Sequence, residues 1–322
     1  MGYTIGIDVG GTKIAAGVVD ADGQLLATVR RDTPAQDVDA IETVIMHAVA
    51  ELGAGHDVTA VGVAAAGYVD ASRSTVLFAP NVAWRDEPLK ADLERRLDLP
   101  VLVENDANAA AWGEFRFGPA RDVDDMVLLT VGTGLGGGVV IDGNLLRGAF
   151  GVAAELGHVR MVPGGIRCGC GNRGCWEQYA SGQALVREAR ELAASGSVTA
   201  ERILQLAGGK PKAIRGPHVT QAAEEGDPAA VDLLADVGRW LGEGAASVVA
   251  VLDPAMIVVG GGVSGAGELL MAPMREAFLR NLTARGFRPE ARIELASLGN
   301  RAGMIGVADL AARALATGEL KR

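Results

Sequence analysis

Residues 3–32 read YTIGIDVGGTKIAAGVVDADGQLLATVRRD, and this stretch decides the fold. Apolar residues alternate along it, and two turn signals, Gly10-Gly11 and Asp22-Gly23, divide it into three segments. Alternating segments joined by short glycine-containing turns are typical of consecutive antiparallel strands. The sequence therefore predicts that the chain begins with three antiparallel strands.

The same pattern returns at residues 126–146, which read MVLLTVGTGLGGGVVIDGNLL. Strand, glycine-rich turn, strand, Asp-Gly turn and strand follow one another in the same order. The segment DGQLL at 22–26 is nearly repeated as DGNLL at 142–146. An internal duplication on this scale predicts two related lobes with a cleft between them.

The other segments predict strands that alternate with helices, as in an α/β protein. They are a helix over 40–52, a buried strand over 58–67, a strand over 99–106 that runs into a helix over 107–115, a long helical region over about 181–251, a late buried strand over 255–264 and a terminal helix over 301–315. Residues 208–218, GGKPKAIRGPH, are interpreted either as a mobile loop or as a plain helix connection.

Composition narrows the class of protein. The formal net charge is −10, which disfavours a protein that binds the phosphate backbone of nucleic acids without sequence preference. No stretch approaches the roughly 18 unbroken apolar residues that cross a bilayer, and the N-terminus has no basic region of an export signal. The composition therefore predicts a cytoplasmic protein that binds neither nucleic acid nor membrane.

The three cysteines of the chain lie together in the segment CGCGNRGCWE, residues 168–177. A reducing cytoplasm and an odd number of thiols disfavour disulfides, and a catalytic thiol needs one activated cysteine rather than three. The C-x-C-x4-C spacing among glycines matches a zinc site that lacks one ligand. Of the four histidines, His158 is the best fourth ligand, and free cysteines are the alternative. A site closed by four protein ligands would be structural.

Three glycine turns follow strands and could hold an anion with their backbone N–H groups. The first is DVGGTK at 8–13, where Asp8 could organise Mg2+ while Gly10–Thr12 surround a phosphate; the others are GTGLGGG at 132–138 and GGG at 260–262. Each turn taken alone is more often a plain hairpin, but three of them in duplicated lobes, one with Asp and Lys, favour nucleotide binding. The P-loop pattern is absent, and the G-x-G-x-x-G match at Gly132 is followed by a strand where a dinucleotide fold needs a helix.

Asn105 and Asp106 stand where a predicted strand meets a helix, a junction that opens into the ligand crevice of open α/β sheets. Phosphoryl transfer to a hydroxyl needs a carboxylate that orients the alcohol and accepts its proton late. An ordinary carboxylate pKa suffices, and the helix N-terminus is expected to keep Asp106 ionised. The alternative is that Asp106 only caps the helix.

A sugar presents a ring of hydroxyls, and carboxylates, amides and imidazole can each bind such groups. Asn105, Asp106, Glu155, His158 and Glu177 form a set of this kind. If one ring nitrogen of His158 binds zinc, the other N–H stays available for a sugar oxygen or a carboxylate.

Together the motifs DVGGTK, END, ELGH, CGCGNRGCWE and VVGGGVS resemble the ROK family of sugar kinases and sugar-responsive repressors, and among its members they are most similar to actinobacterial-type glucokinases. The resemblance implies an actin- and hexokinase-like (ribonuclease H-like) α/β fold of two lobes. We expect a small lobe of residues 1–109 with 303–322 and a large lobe of residues 110–302. It also implies a C-terminal helix that packs on the first lobe, and a homodimer or homotetramer.

The same resemblance implies an ATP-dependent phosphorylation of glucose at its 6-hydroxyl, with Asp106 as the general base. The implied site residues are Asn105, Asp106, Glu155, His158 and Glu177, with Gly67 and Asn81, for the sugar; His158, Cys168, Cys170 and Cys175 for structural zinc; Asp8, Gly10, Gly11, Thr12, Lys13, Thr133 and Gly134 for Mg2+ and phosphates; and Gly260, Gly261 and Gly262 for the nucleoside.

Two classes of function remain after this resemblance. Within the kinases, another hexose or an N-acetylhexosamine could replace glucose, and polyphosphate could replace ATP. The other class is a sugar-sensing regulator. Repressors of the family carry a DNA-binding segment before the first glycine strand, which here begins at Tyr3, so the sequence favours the kinase.

Overall fold

The computed structural model describes residues 2–321. Strands and helices alternate through the first half of the chain, followed by a mainly helical second half. The elements are β1 (Tyr3–Val9), β2 (Lys13–Val19), β3 (Leu25–Asp32), α1 (Val38–Gly53), β4 (Val58–Ala65), β5 (Tyr68–Val69), β6 (Val76–Phe78), β7 (Arg85–Glu87), α2 (Leu89–Leu97), β8 (Val101–Asn105), α3 (Asp106–Phe117), β9 (Met126–Val131), β10 (Leu135–Ile141), β11 (Asn144–Leu145), α4 (Gly182–Ala194), α5 (Glu201–Leu206), α6 (Gly216–Glu224), α7 (Pro228–Leu252), β12 (Met256–Gly260), α8 (Glu268–Asn281), β13 (Arg292–Leu295) and α9 (Ala302–Thr317).

The first sheet has the strand order β3-β2-β1-β4-β8. Strands β1, β2 and β3 pair antiparallel, which confirms the prediction for residues 3–32. Strands β1, β4 and β8 run parallel, so their carboxyl ends meet at one edge of the sheet. The register sets Asp8 beside Ala64, and Asn105 beside Ala65, at that edge.

The second sheet has the order β11-β10-β9-β12-β13. As in the first sheet, three strands that are consecutive in the chain lie side by side, and two later strands extend the sheet beyond the first of them. These later strands, β12 and β13, pair parallel. The repeated pattern that the sequence predicts over residues 126–146 is confirmed as strands β9, β10 and β11. A separate small sheet, β5-β6-β7, has no counterpart in the sequence prediction.

The chain divides into two compact units. Unit 1 comprises the chain up to Leu128, Gly138–Ala154 and the chain from Ala296, and unit 2 comprises Leu129–Gly137 and Glu155–Leu295. The predicted lobes, 1–109 with 303–322 and 110–302, divide the chain at other residues. Helix α3 belongs to unit 1 because it packs on α9 so closely that a Cβ on Gly306 would lie 1.8 Å from the carbonyl oxygen of Ala109.

In unit 1, α9 lies directly on the first sheet. A Cβ on Gly6 of β1 would lie 1.9 Å from the carbonyl oxygen of Met304, and one on Gly62 of β4 would lie 2.2 Å from that of Val307. Two glycines in adjacent strands therefore admit the helix backbone. The implied packing of the terminal helix on the first lobe is confirmed.

In unit 2, the long helix α7 packs against α8 around the buried side chains of Leu241, Met274 and Phe278. The helical region predicted over about 181–251 is divided into α4, α5, α6 and α7. Residues 208–218 contain a short turn at Pro211–Ala213 and the first turn of α6, so this stretch connects helices.

Among residues 2–321, none of the helices combines the length and the apolar character needed to cross a bilayer.

Candidate active site

Three polar side chains stand at the carboxyl edge of the first sheet in unit 1. Asp8 is the sixth residue of β1, Asn105 ends β8 and Asp106 begins α3. Asp8 and Asp106 are close enough that the charge of Asp106 raises the pKa of Asp8. The parallel register of β1, β4 and β8 thus brings together residues that are far apart in the sequence.

Asn105, rather than Asp106, is the cap of α3. Its side-chain oxygen accepts a hydrogen bond of 2.9 Å from the backbone N–H of Asn108, which satisfies an otherwise unpaired donor of the first turn. Its Nδ2 donates to the Oδ1 of Asp106 at 3.2 Å and to the carbonyl oxygen of Gly67 at 3.0 Å. The alternative that Asp106 caps the helix is therefore wrong.

Burial sets the protonation of both carboxyl groups. It raises the pKa of Asp106 to about 6, against the opposing hydrogen bonds from the backbone N–H groups of Ala107 and Asp106 and from the Asn105 amide. Burial, followed by the charge of Asp106, raises the pKa of Asp8 to about 7. The pKa of Asp106 lies above that of an ordinary carboxylate, because desolvation outweighs the hydrogen bonds at the helix N-terminus. Asp106 is nevertheless mostly ionised at neutral pH.

The first glycine turn closes the β1–β2 hairpin beside this edge. The backbone N–H of Gly10 donates to the carbonyl oxygen of Lys13 at 3.0 Å. A Cβ on Gly11 would lie 2.7 Å from the Cβ of Asn81, so Asn81 packs against the turn. Thr12 is exposed, and Lys13 donates to the Asp32 carboxylate on β3.

The predicted metal ligands meet in unit 2. His158 and the three cysteines each offer one atom, and these four atoms lie within 4.8 Å of one another. The Sγ atoms of Cys170 and Cys175 are 3.6 Å apart, and the Sγ of Cys168 is 3.6 Å from the Nδ1 of His158. Tetrahedral zinc with sulfur and nitrogen ligands requires separations of about 3.6–3.8 Å. The cluster therefore fits a zinc ion bound through Nδ1.

Irregular chain rather than regular secondary structure builds this cluster. Backbone hydrogen bonds join Met161 to Gly174 at 2.8 Å, and Cys168 to Asn172 at 2.9 Å. Gly174 has a φ of +79°, and a Cβ there would lie 1.6 Å from the carbonyl oxygen of Val162, so only glycine fits. The fully buried Trp176 anchors the segment by donating to the carbonyl oxygen of Trp240 in α7 at 2.8 Å.

Glu177 contacts both the metal ligands and the second glycine turn. Its Oε1 lies 3.0 Å from the Sγ of Cys168 and 3.7 Å from the Nδ1 of His158. Its Oε2 lies 2.6 Å from where a Cβ on Gly134 would stand. Burial, followed by the hydrogen bond to Glu177, raises the pKa of the Cys168 thiol, so metal binding at this sulfur would release a proton. Glu155 is exposed and precedes the short turn Leu156–His158.

Unit 2 also contains an open cavity of about 1230 Å³ beside the second glycine turn. Thr133 and Gly262, two of the predicted nucleotide contacts, both line it, together with the first residues of α4 and α6. Gly261, with a φ of +88°, lies against the backbone of Val131, and Gly260 ends β12. The structure therefore brings the second and third glycine turns to one cavity.

The sequence interpretation missed the helical side of this cavity. Arg187, Arg190, Arg215 and Gln221 line it from α4, from α6 and from the residue before α6. Arg190 is anchored by a hydrogen bond of 2.8 Å from its guanidinium to the carbonyl oxygen of Ile214. The Gly-Pro pair at 216–217 is a signal of a helix start and could have placed α6.

Comparisons with known proteins show the family to which the chain belongs. The ROK family model matches residues 4–314. The glucokinase of Streptomyces coelicolor is 52% identical over 311 residues, which cover 97% of this chain and 98% of that protein. A ROK family glucokinase from Streptomyces griseus, crystallised in complex with glucose and AMPPNP, is 54% identical with a TM-score of 0.88, and the match covers 97% of this chain and 100% of that one. The xylose repressor of Caldicellulosiruptor bescii is 34% identical over 247 residues, 76% of this chain and 60% of the repressor. The Streptomyces griseus structure confirms the predicted hexokinase-like α/β fold.

Proposed function

The chain belongs to the ROK family, and we propose that it transfers the terminal phosphoryl group of ATP to the 6-hydroxyl of glucose. The observation that carries the proposal is the placement of Asp106, a partly buried carboxylate at the first turn of α3 that Asn105 holds by a hydrogen bond. The similarity to the two Streptomyces glucokinases indicates glucose as the sugar and ATP as the donor.

Asp106 is proposed as the general base of this reaction. Phosphoryl transfer passes through a loose transition state, so the carboxylate chiefly orients the attacking hydroxyl and accepts its proton late. A pKa of about 6 leaves the group mostly ionised at neutral pH and makes it more basic than an ordinary carboxylate. The amide of Asn105 donates to Oδ1 of this carboxylate and so helps to fix its orientation.

Asp8 and the turn Gly10–Lys13 are proposed to face the metal and the phosphates. A carboxylate at a strand end is an oxygen ligand of the kind that Mg2+ prefers, directly or through water. When bound, Mg2+ neutralises charge on the phosphate oxygens. Asp8 is well suited to a cation because burial and the neighbouring Asp106 disfavour its charge when no cation is present.

The cavity of unit 2 is proposed to receive the nucleotide. Glycines at 132 and 262 leave room for close approach of phosphates, and the guanidinium groups of α4 and the residue before α6 supply positive charge. A cavity of about 1230 Å³ exceeds the volumes usual for small-molecule sites, as an open site for a nucleotide would.

The zinc is proposed to be structural, held by His158, Cys168, Cys170 and Cys175. Four protein ligands close the coordination sphere and leave no position for substrate. With Nδ1 towards the sulfurs, the Nε2 of His158 stays available for a sugar oxygen. The sugar contacts through Gly67, Asn81, Asn105, Glu155, His158 and Glu177 remain predictions from the family resemblance. A homodimer or homotetramer, and a cytoplasmic location where ATP is available, are further parts of the proposal.

A panel of sugars assayed with two phosphoryl donors tests the proposed function. Glucose, mannose, fructose, N-acetylglucosamine and N-acetylmannosamine are each incubated with Mg-ATP and with polyphosphate, and the sugar phosphate is measured. We expect the highest kcat/KM for glucose with ATP. A higher value for another sugar or for polyphosphate would replace the substrate, and no phosphorylation of any sugar would favour the sugar-sensing regulator.

A further inference from the structure

We propose that Glu104, held by Arg73, is a positioning residue that fixes Asn105 and thereby the carboxylate of Asp106. This inference rests on the proposed function, because it concerns the residue proposed as the base. Glu104 lies on β8, directly before Asn105, and only 1% of it is exposed. A charged side chain so deeply buried requires partners for both of its oxygens.

The partners of Glu104 divide between its two oxygens. Oε1 accepts hydrogen bonds from the backbone N–H of Asn105 at 3.0 Å and from the Nδ2 of Asn108 at 3.2 Å. Oε2 accepts from the Nε of Arg73 at 3.1 Å and lies 3.9 Å from the Nε of Arg147. One oxygen therefore holds the start of α3, and the other is held by cations.

Arg73 occupies a backbone conformation that favours glycine. Its φ is +57°, in the turn between β5 and β6, where any residue other than glycine is strained. The turn is bound to the sheet twice, since the carbonyl oxygen of Arg73 also accepts from the backbone N–H of Val103 at 3.1 Å. The turn that carries Arg73 is therefore fixed to β8, the strand of Glu104.

Asn105 connects this buried pair to Asp106. Glu104 fixes the backbone N–H of Asn105, while the side chain of Asn105 caps α3 and donates to Asp106 at 3.2 Å. Glu104 also holds Asn108, the residue whose backbone N–H donates to that cap. Both ends of the capping bond are therefore oriented by one carboxylate.

A buried ion pair is a weak source of stability, because desolvation offsets most of the attraction. Desolvation does not, however, cancel the geometric effect of the pair, which fixes where the carboxylate oxygens of Glu104 lie. Two cations hold Oε2, so Oε1 has little freedom to turn away from α3. A small displacement of a reacting group lowers turnover strongly, and Asp106 is the group that this network orients.

A double-mutant cycle between Glu104 and Asp106 tests the inference. Glu104→Gln keeps the size of the side chain but cannot accept from Asn105 and Arg73 together. In the otherwise native chain we expect kcat for glucose to fall about 10- to 100-fold. In the Asp106→Asn background, where labelled product is collected over long incubations, we expect Glu104→Gln to change the residual rate less than about twofold. Equal losses in both backgrounds, or wild-type kcat in Glu104→Gln, would overturn the proposal.

Glu42→Gln is the matched control. Glu42 is 2% exposed and pairs with Arg96 at 3.0 Å, so it is also a buried glutamate with an arginine partner in unit 1. We expect kcat to stay within about twofold of wild type. A fall in kcat as large as that of Glu104→Gln would mean that the loss of any buried pair impairs turnover, and it would contradict a positioning role.

Arg73→Gly keeps the test decisive if Glu104→Gln does not fold. Glycine accepts the positive φ without strain and removes the side chain that donates to Oε2, together with its ion pair to Glu319. The same cycle with Asp106→Asn then applies, with the same expected and contrary outcomes. A wild-type chain that phosphorylates no sugar is a failure of the proposed function, whereas an active wild type with additive losses is a failure of this inference alone.

Discussion

The two clusters of candidate site residues are built in opposite ways. In unit 1, the register of parallel strands and the first turn of α3 place Asp8, Asn105 and Asp106 at one sheet edge. In unit 2, His158 and three cysteines converge from short turns and irregular chain. The first cluster is positioned by backbone hydrogen bonds that the whole sheet shares, and the second by backbone hydrogen bonds within short turns.

This difference explains why a structural metal is expected in the second cluster and not in the first. A sheet edge can hold two carboxylates near each other, even though burial raises the pKa of both, because the strands fix their backbones. The chain at 159–177 is joined by hydrogen bonds of short turns and by isolated bridges such as Arg160–Cys175, rather than by a sheet. Bonds from four ligands to one zinc ion would supply the missing cross-links.

Asp106→Asn gives the largest expected effect and tests whether the sheet edge performs chemistry. Asn105 remains the cap of α3, so the fold is retained while the base is removed. We expect kcat to fall about 10²- to 10⁴-fold, with the affinity for glucose changed only a few-fold. A coupled kinase assay and calorimetric titration with glucose measure the two quantities. Turnover near that of the wild type would show that Asp106 is not the base.

Cys175→Ser tests whether the second cluster depends on a metal. Cys175 is fully buried and contributes one of the four ligand atoms. Metal analysis should find about one zinc per wild-type chain and far less in the variant, with a lower Tm because structural zinc stabilises its segment. Arg167→Ser, a change in the same segment at a residue outside the ligand set, should keep the zinc. A wild-type chain without zinc would contradict the assignment.

Asp8→Asn has the smallest expected effect. It tests whether ionisation of the Asp8 carboxyl at the sheet edge lowers the stability of the folded chain. Because folding raises the pKa of Asp8 to about 7, the folded chain binds more protons than the unfolded chain between about pH 4 and 7. The contribution of Asp8 to stability therefore falls as the pH rises through this range. Asn carries no charge, so we expect the variant to match wild type near pH 4 and to exceed its Tm by about 2 °C at pH 8.

This comparison is made by thermal unfolding without nucleotide or magnesium. Asp32→Asn is the control of opposite sign, because the hydrogen bond from Lys13 lowers the pKa of Asp32. Its Tm should fall below that of wild type as the pH rises above 4. A difference between Asp8→Asn and wild type that does not vary with pH would contradict the pKa of Asp8.

The sequence predicted those elements whose signals are local. Alternation and Asp-Gly turns identified β1–β3 and their repeat at β9–β11, and helical periodicity identified α1 and α9. The cysteine spacing, with His158 ten residues earlier, predicted the members of the metal cluster. The small sheet β5-β6-β7 has strands of two or three residues, too short for any period to be visible.

Local sequence patterns could not predict the contacts between distant segments of the chain. The cavity of unit 2 combines the second glycine turn with α4 and α6, and nothing in any one of these segments reveals the others. Glu104 could be seen as a strand residue, but its pairing with Arg73 depends on a turn with a positive φ. The capping role of Asn105 likewise required the actual start of α3.

The sequence by itself determined which groups are present and in what spacing: two carboxylates after buried strands, three cysteines with a histidine nearby, and glycines at the turns. Only the tertiary structure decided their chemical state. The pKa values of Asp8 and Asp106 rise because burial in the folded chain removes water from them, and Glu104 is fixed because Arg73 and Arg147 approach it. Desolvation and charge depend on distance in space, and distance in space is set by the fold rather than by spacing along the chain.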